Sequence, residues 1–389
     1  MRKTRLAFLA FASYFIVGVI CMMIGSEMSG LILLYEKPIE KVVLIGSAFA
    51  LGRVVPLPVI DKLVRKYGPL KIMFYGTIGI LCYMVGLSII PIYEAGFLLA
   101  FIGGIGMAVA DACSPLLLSK AFPKSYSSSL SAGQAIYALG GFAISMMAGY
   151  MFNNGLPMYL CNILLSLVGV VSLFIIPRTR WEETTEEAQE EKVRPLYAKN
   201  TVLCFVLLGI SSLVYCAICS TLGSYMTSWM EASGMSSSGA SYVLSIFNLF
   251  SLFGSICFIF ILRVMKEKTV LLVNCSISIF ALLITVMTED TSVYYITMAV
   301  VGFFIGVLFS ILIALATRIG YEHISLSSAI IATAGGCGDI LAPIVSSFLV
   351  KNNGVLIVFR YVIIMLVIMS VIALVISRMT REEEYANSK

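Results

Sequence analysis

The sequence predicts an all-α membrane protein of twelve transmembrane helices, built as two related six-helix bundles with both termini on the cytoplasmic side. Three observations lead there. Of 389 residues, 60% are hydrophobic and 12% charged, with a mean hydropathy of +1.00 and one histidine, so too few polar groups remain to cover a water-soluble surface. About twelve stretches are long enough to cross a bilayer, which takes about 20 apolar residues each. The chain also repeats itself at an offset of 198 positions: Ser47, Phe49, Leu51 and Arg65 recur as Ser245, Phe247, Leu249 and Arg263, and Gly25, Ser26, Met28 and Ser29 as Gly223, Ser224, Met226 and Thr227. A period near half the chain length marks two copies of one unit.

The apolar stretches run over 7–33, 42–60, 72–91, 95–119, 127–152 and 155–177, then 200–230, 237–262, 269–288, 291–317, 324–350 and 352–377. The longest polar interval, 178–199, separates the two sets, and its dense acids and bases make it a solvated linker. The domains are therefore 1–177, a linker 178–199, and 200–389. Short tails lead to the expectation of no attached soluble domain, and the first stretch, too long for a signal peptide, is expected to be an uncleaved anchor. The ten cysteines lie in apolar runs without metal-ligand spacing and read as small core residues, so no metal or cofactor is expected. The same composition points to a lipid bilayer as solvent, with no nucleic-acid partner and a monomer as the expected state.

Orientation follows from lysine and arginine. With the amino terminus inside, twenty-one of them fall on the inner side and only Lys37, Lys41 and Lys351 outside, the asymmetry of cytoplasmic loops.

Twelve spans in two halves, a cytoplasmic middle linker and a basic turn after the second span resemble the major facilitator superfamily of secondary transporters. The family pattern in that turn reads G-x-L-x-D-R-x-G-R-K. Here the stretch from Asp61 to Lys71 keeps Leu63, a basic residue and Gly68, but Asp61 stands where the family has glycine and Arg65 where it has aspartate. In the family that aspartate helps latch the halves on the cytoplasmic side, so the latch is not carried over here as such. A cytoplasmic gate around Asp61, Arg65, Gly68 and, in the second repeat, Arg263 is expected to rest instead on Asp61 and Arg65, one helical turn apart, as a swapped pair, and a turn that only sets topology is the alternative. The arginine often found in the fourth span of proton-coupled members is missing near Ala100, as is the glycine-proline signature of drug antiporters in the fifth. Gly103-Gly104-Ile105-Gly106, Asp111, Ser114-Pro115, Phe122-Pro123 and the stretch Tyr137 to Gly141 are loosely similar to the fucose-permease subgroup.

Five ionisable side chains fall inside apolar spans: Glu27, Arg53, Asp111, Asp339 and Arg360. Each costs about 2.5–3.5 kcal/mol to insert, so each needs a partner, a cavity or a neutral form. At about 1.5 Å per residue, Arg53 and Asp111 reach similar depth and are expected to pair within the first half, for structure or for mechanism. Asp339 and Arg360, on consecutive spans, are expected to pair as a structural unit. Glu27 has no evident cation near it and, with Asp111, is the candidate for proton coupling, unless it reaches outer water. Tyr14, Gln134, Tyr137, Tyr215, Tyr225 and Asn248 are the candidates to hydrogen-bond a substrate, with helix bridging as the alternative for each. Glycine pairs at 103–104, 140–141 and 335–336 are expected to let helices pack closely, and Pro115 and Pro343 to loosen spans four and eleven.

The resemblance implies alternating access about a central site. The reading is uptake of a small polar solute, sugar-like or carboxylate, by proton symport at the plasma membrane. Export of drugs or hydrophobic metabolites is the alternative. A transport-inactive sensor or an enzyme fits less well, since no nucleophile with a base and no metal cluster is in reach.

Overall fold

The computed structural model describes residues 2–122, 126–179, 196–262, 264–321 and 324–382. Arg263, His323 and most of the predicted linker lie outside the described residues, as does the side chain of Asp61. The first predicted span is α1 (Arg2–Ser26) and, across Glu27, α2 (Met28–Tyr35). The second is divided into α3 (Ile39–Val42), α4 (Ile45–Val54) and α5 (Leu57–Tyr67). Then come α6 (Pro69–Ile89), α7 (Tyr93–Ala121), α8 (Tyr126–Asn153) and α9 (Tyr159–Ile175). The second half holds α10 (Thr201–Ala232), α11 (Ser237–Ile261), α12 (Glu267–Met287), the broken pair α13 (Thr291–Ile305) and α14 (Leu308–Ile319), α15 (Ile324–Asn353) and α16 (Ile357–Met379). Among the described residues, 11 spans are long and apolar enough to cross a membrane.

The second predicted span falls short of that length because Pro56 divides it. Proline has no N–H to give the preceding turn, so α4 ends and α5 restarts with Pro56 at its cap. The basic stretch expected to be a turn is instead helical up to Tyr67, because its charges sit on one side of an amphipathic α5. The reversal comes at Gly68, whose φ of 81° suits a residue without Cβ. Pro115 and Pro343, expected to loosen their spans, lie inside helices that run on through them. The tenth span breaks instead, at Gly306 and Val307. One element was not foreseen: Leu196–Ala198 (β1), at the end of the linker, pairs antiparallel with Thr380–Glu382 (β2) beyond α16.

The repeat in sequence is a repeat in packing. Gly104 of α7 lies so close to α4 that a Cβ there would sit 2.1 Å from the Phe49 carbonyl oxygen. At the matching place in the second half, a Cβ on Gly302 would sit 2.3 Å from that of Phe247. Gly140 presses on the carbonyl of Phe15, and Gly338 on that of Leu213, at 2.1 and 2.2 Å. All four residue pairs keep the offset of 198 positions, so each half is held by the same small-residue contacts. Gly25 and Gly223, repeat partners of each other, also touch, which puts the relating axis between α1 and α10. The apolar core gathers along that axis, where Ile20, Met23, Leu222 and Met226 are fully buried.

Candidate functional site: a charged cleft between the halves

The site is assembled from α4, α7 and α15. Gly104 lets α4 approach α7 until a Cβ would meet the Arg53 backbone nitrogen at 2.8 Å, and Asp111 follows on α7 two turns later, on the same side. Arg53, in the last turn of α4, donates through Nε to Asp111 Oδ2 at 2.9 Å, and through Nη1 to Asp339 Oδ2 of α15 at 3.3 Å. One guanidinium therefore joins two carboxylates, one from each half. The side chains are 34%, 36% and 25% exposed although they lie between helices, so the halves are parted by open space at this depth.

The expected partnership of Arg53 with Asp111 is present. That of Asp339 with Arg360 is not: Asp339 faces α4, where Arg53 has a second donor to offer, while Arg360 is exposed near the start of α16 and makes no ion pair among the described residues. Consecutive spans gave no guide here, because α15 packs more extensively on α10 and α4 than on α16.

The halves are bound together at the end opposite the termini. Ser29 Oγ donates to both oxygens of Glu231 at 2.6 and 2.8 Å, Thr227 Oγ1 to the Gly25 carbonyl at 2.7 Å, Ser47 Oγ to the Ile340 carbonyl at 3.1 Å, and Ser347 Oγ to the Glu40 carbonyl at 2.7 Å. The seam between α8 and α11 follows the same gradient. At Gly149 the Tyr242 ring would be 2.6 Å from a Cβ, at Gly141 the Asn248 amide oxygen 3.1 Å, and two turns further toward the termini Gln134, on the same face of α8, is exposed. The cleft is shut at the loop end and open at the end that carries the termini.

Glu27 lies outside this cleft. It occupies the break between α1 and α2, is 1% exposed, and its Oε2 accepts from Ser88 Oγ at 2.8 Å and Asn162 Nδ2 at 3.0 Å. Burying such a carboxylate is tolerable because these donors replace water at one of its oxygens. Glu27 stands two residues before Ser29, which closes on Glu231, so it sits where the loop-end closure hinges. Ser88, Asn162, Ser29 and Glu231 were missed by sequence reasoning. The first three are small or amide side chains like many others in the spans, and Glu231 falls at a predicted span end, where charge is ordinary.

Of the proposed hydrogen-bonding residues, Gln134 is exposed at the open end, while Tyr14 and Tyr137 are half-buried, the Tyr14 ring lying against Gly133 and the backbone carbonyl of Tyr137 against Gly18. Tyr215 stacks on Phe309 with ring centroids 5.8 Å apart. Tyr225 is fully buried, and Asn248 spends its amide on the Leu244 carbonyl at 3.0 Å, so neither faces open space. Arg65 is exposed on α5 and Gly68 caps that helix; a gate with Asp61 and Arg263 involves groups outside the described set.

Comparison with known proteins fits this geometry. The family model for the Major Facilitator Superfamily matches residues 6–325. The chain belongs to the major facilitator superfamily. Among its relatives, the uncharacterized MFS-type transporter YfkL of Bacillus subtilis is 23% identical over 367 residues, covering 90% of both chains. A TsgA homolog of Citrobacter koseri is 20% identical over 362 residues, covering 90% of this chain and 89% of that one. Of solved structures, the nucleoside transporter NupG superposes with a TM-score of 0.76 at 14% identity, covering 97% of this chain and all of that one. A D-xylose-proton symporter superposes with a TM-score of 0.76 at 12% identity, covering 98% and 99%. Family and fold are those of multi-pass membrane transporters of small molecules, not of enzymes.

Proposed function

We propose that the protein is a secondary transporter that carries a small polar solute, sugar-like or carboxylate, across the plasma membrane by alternating access, in symport with protons. The observation that carries this reading is the bridge from Arg53 to one carboxylate in each half, in an exposed position at the head of a cleft open at one end. The lysine and arginine distribution supports cytoplasmic termini, and with that orientation the closed end faces outward and the structure is the inward-open state. Units 1–177 and 200–389 rock about the axis between α1 and α10, with 178–199 as the tether.

The charges supply a coupling scheme. Arg53 with Asp111 and Asp339 sums formally to −1, and one proton makes the set neutral. A proton on Asp339 releases Nη1 of Arg53, which then donates to a hydroxyl or carboxylate oxygen of the solute, while Asp111 holds the guanidinium in place. Glu27 is the second proposed proton-coupling group: it stands at the hinge of the α1–α2 break, so its protonation alters the hydrogen bonding that sets α2 against Glu231. The names of the structural neighbours, a nucleoside transporter and a D-xylose-proton symporter, support a polar solute. The formal −1 balance also favours a second reading, export of a lipophilic cation in exchange for protons.

Purified protein in liposomes separates the two. Alkalinisation of the external medium on adding a sugar or organic acid supports symport. A response confined to lipophilic cations supports export, and no response to any polar solute overturns the first reading.

A further inference from the structure

A second cavity, of about 510 Å³, opens beside Glu27 and away from the central cleft. All of its walls belong to the first half: α2 gives Gly30, Leu31 and Leu34, α6 gives Ser88, the end of α8 gives Phe152, and the turn from α8 to α9 gives Met158 among others. Two features call for a ligand. Apart from Glu27, Ser88 and Tyr159 the lining side chains are apolar, and no lysine or arginine contributes to it. Glu27, 99% buried by its 1% exposure, commits only Oε2 to Ser88 and Asn162, while Oε1 accepts no hydrogen bond. A carboxylate oxygen shut away from water and left without a donor forfeits hydrogen-bond energy that a ligand can restore.

We propose that this lateral cavity is a binding site for a protonated lipophilic amine, whose ammonium donates to Glu27 Oε1 and whose apolar body lies among Leu31, Leu34, Phe152 and Met158. The chemistry follows from the walls. A donor with positive charge satisfies the unpaired oxygen, an anion would meet the carboxylate with no counter-charge, and a sugar would strand its hydroxyls against leucine and methionine. The volume falls in the range of about 300–1,000 Å³ usual for small-molecule sites. Phe152 and Tyr159 also line the cavity, and aromatic rings attract a cation placed over their faces. The site is distinct from the cleft: Arg53, Asp111 and Asp339 take no part in its lining.

The test reads binding, so its failure leaves the transport reading intact, and failure of transport leaves it intact in turn. The purified protein is titrated with phenethylamine and longer aryl-alkyl amines, and with the alcohol and the carboxylate of the same skeleton, following thermal stability and a fluorescent amine displaced from the site. The amines are expected to raise the melting temperature, and their neutral and anionic counterparts are not. Glu27→Gln, which keeps an acceptor for Ser88 and Asn162, is expected to weaken amine binding by about tenfold or more. Leu34→Trp, which fills the cavity and leaves the carboxylate, is expected to abolish it. Asp111→Asn, in the cleft, is expected to leave the affinity within about twofold. Equal shifts from amine and alcohol, unchanged affinity in Glu27→Gln, or loss in Asp111→Asn with retention in Leu34→Trp would each overturn the proposal.

Discussion

Replacing Asp339 by asparagine removes a charge from the one ion pair that spans the cleft among the described residues and keeps the side-chain shape. Arg53 retains Asp111 at 2.9 Å, so the guanidinium is not stranded, and the loss is confined to the 3.3 Å arm to α15. With about a third of Arg53 and a quarter of Asp339 exposed, solvent screens that arm, and it is worth about 1 kcal/mol rather than the several of a fully buried pair. An equilibrium between inward-open and outward-open states should therefore move about fivefold toward the outward-open state, if the arm forms only in the former. Spin labels at Lys62 and Val264, on opposite halves at the terminal end, report this as a gain in the short-distance population by double electron–electron resonance. Asp111→Asn, which breaks a contact within one half, should move that population less. Equal effects from the two substitutions, or none from Asp339→Asn, would refute the assignment of the arm to one state.

Three further outcomes follow from the same contacts. Ser29→Ala deletes the bifurcated hydrogen bond to the Glu231 carboxylate and should loosen the loop end by about 1.5–3 kcal/mol, seen as faster modification of a cysteine placed at the buried Ser228 by a reagent added outside. Glu27→Gln should abolish accumulation against a gradient in proteoliposomes while equilibrium exchange of solute continues, and surviving accumulation would remove Glu27 from the coupling scheme. Gly140→Val and Gly338→Val each drive side-chain atoms into a carbonyl that already lies 2.1 or 2.2 Å from the Cβ position. Each should cost upward of about 3 kcal/mol and depress folded yield, whereas substitution at Gly209, with its nearest neighbour at 3.8 Å, should not.

Much of the fold could be read from the chain because membrane physics leaves few choices. Uninterrupted apolar length marks a span, and the offset of 198 positions reappears as matched glycine contacts in the two halves. The broken second span was legible in principle, since Pro56 and Pro58 lie within five residues of Arg53, yet apolar length alone made 42–60 look continuous. Arg53 and Asp111 met as expected because depth and membership of one half sufficed to bring them together. Asp339 went to Arg53 rather than Arg360 because partners across the cleft depend on how the halves close, and no local spacing encodes that. Glu27 stood out as a charge in hydrocarbon, but its partners Ser88 and Asn162 are far away in sequence and common in composition, so its satisfied oxygen became visible only in three dimensions.

The central claim is that the two halves enclose a cleft that opens at the terminal end and closes at the other. Its most direct test is the modification rate of Gln134→Cys, in an otherwise cysteine-free variant, by a membrane-impermeant maleimide in sealed vesicles of known sidedness. Rapid labelling from the cytoplasmic face, slow labelling from outside, and a reversal of that preference when transported solute is supplied are the predicted results. Labelling from both faces at once, or an outside preference that no solute alters, would contradict it.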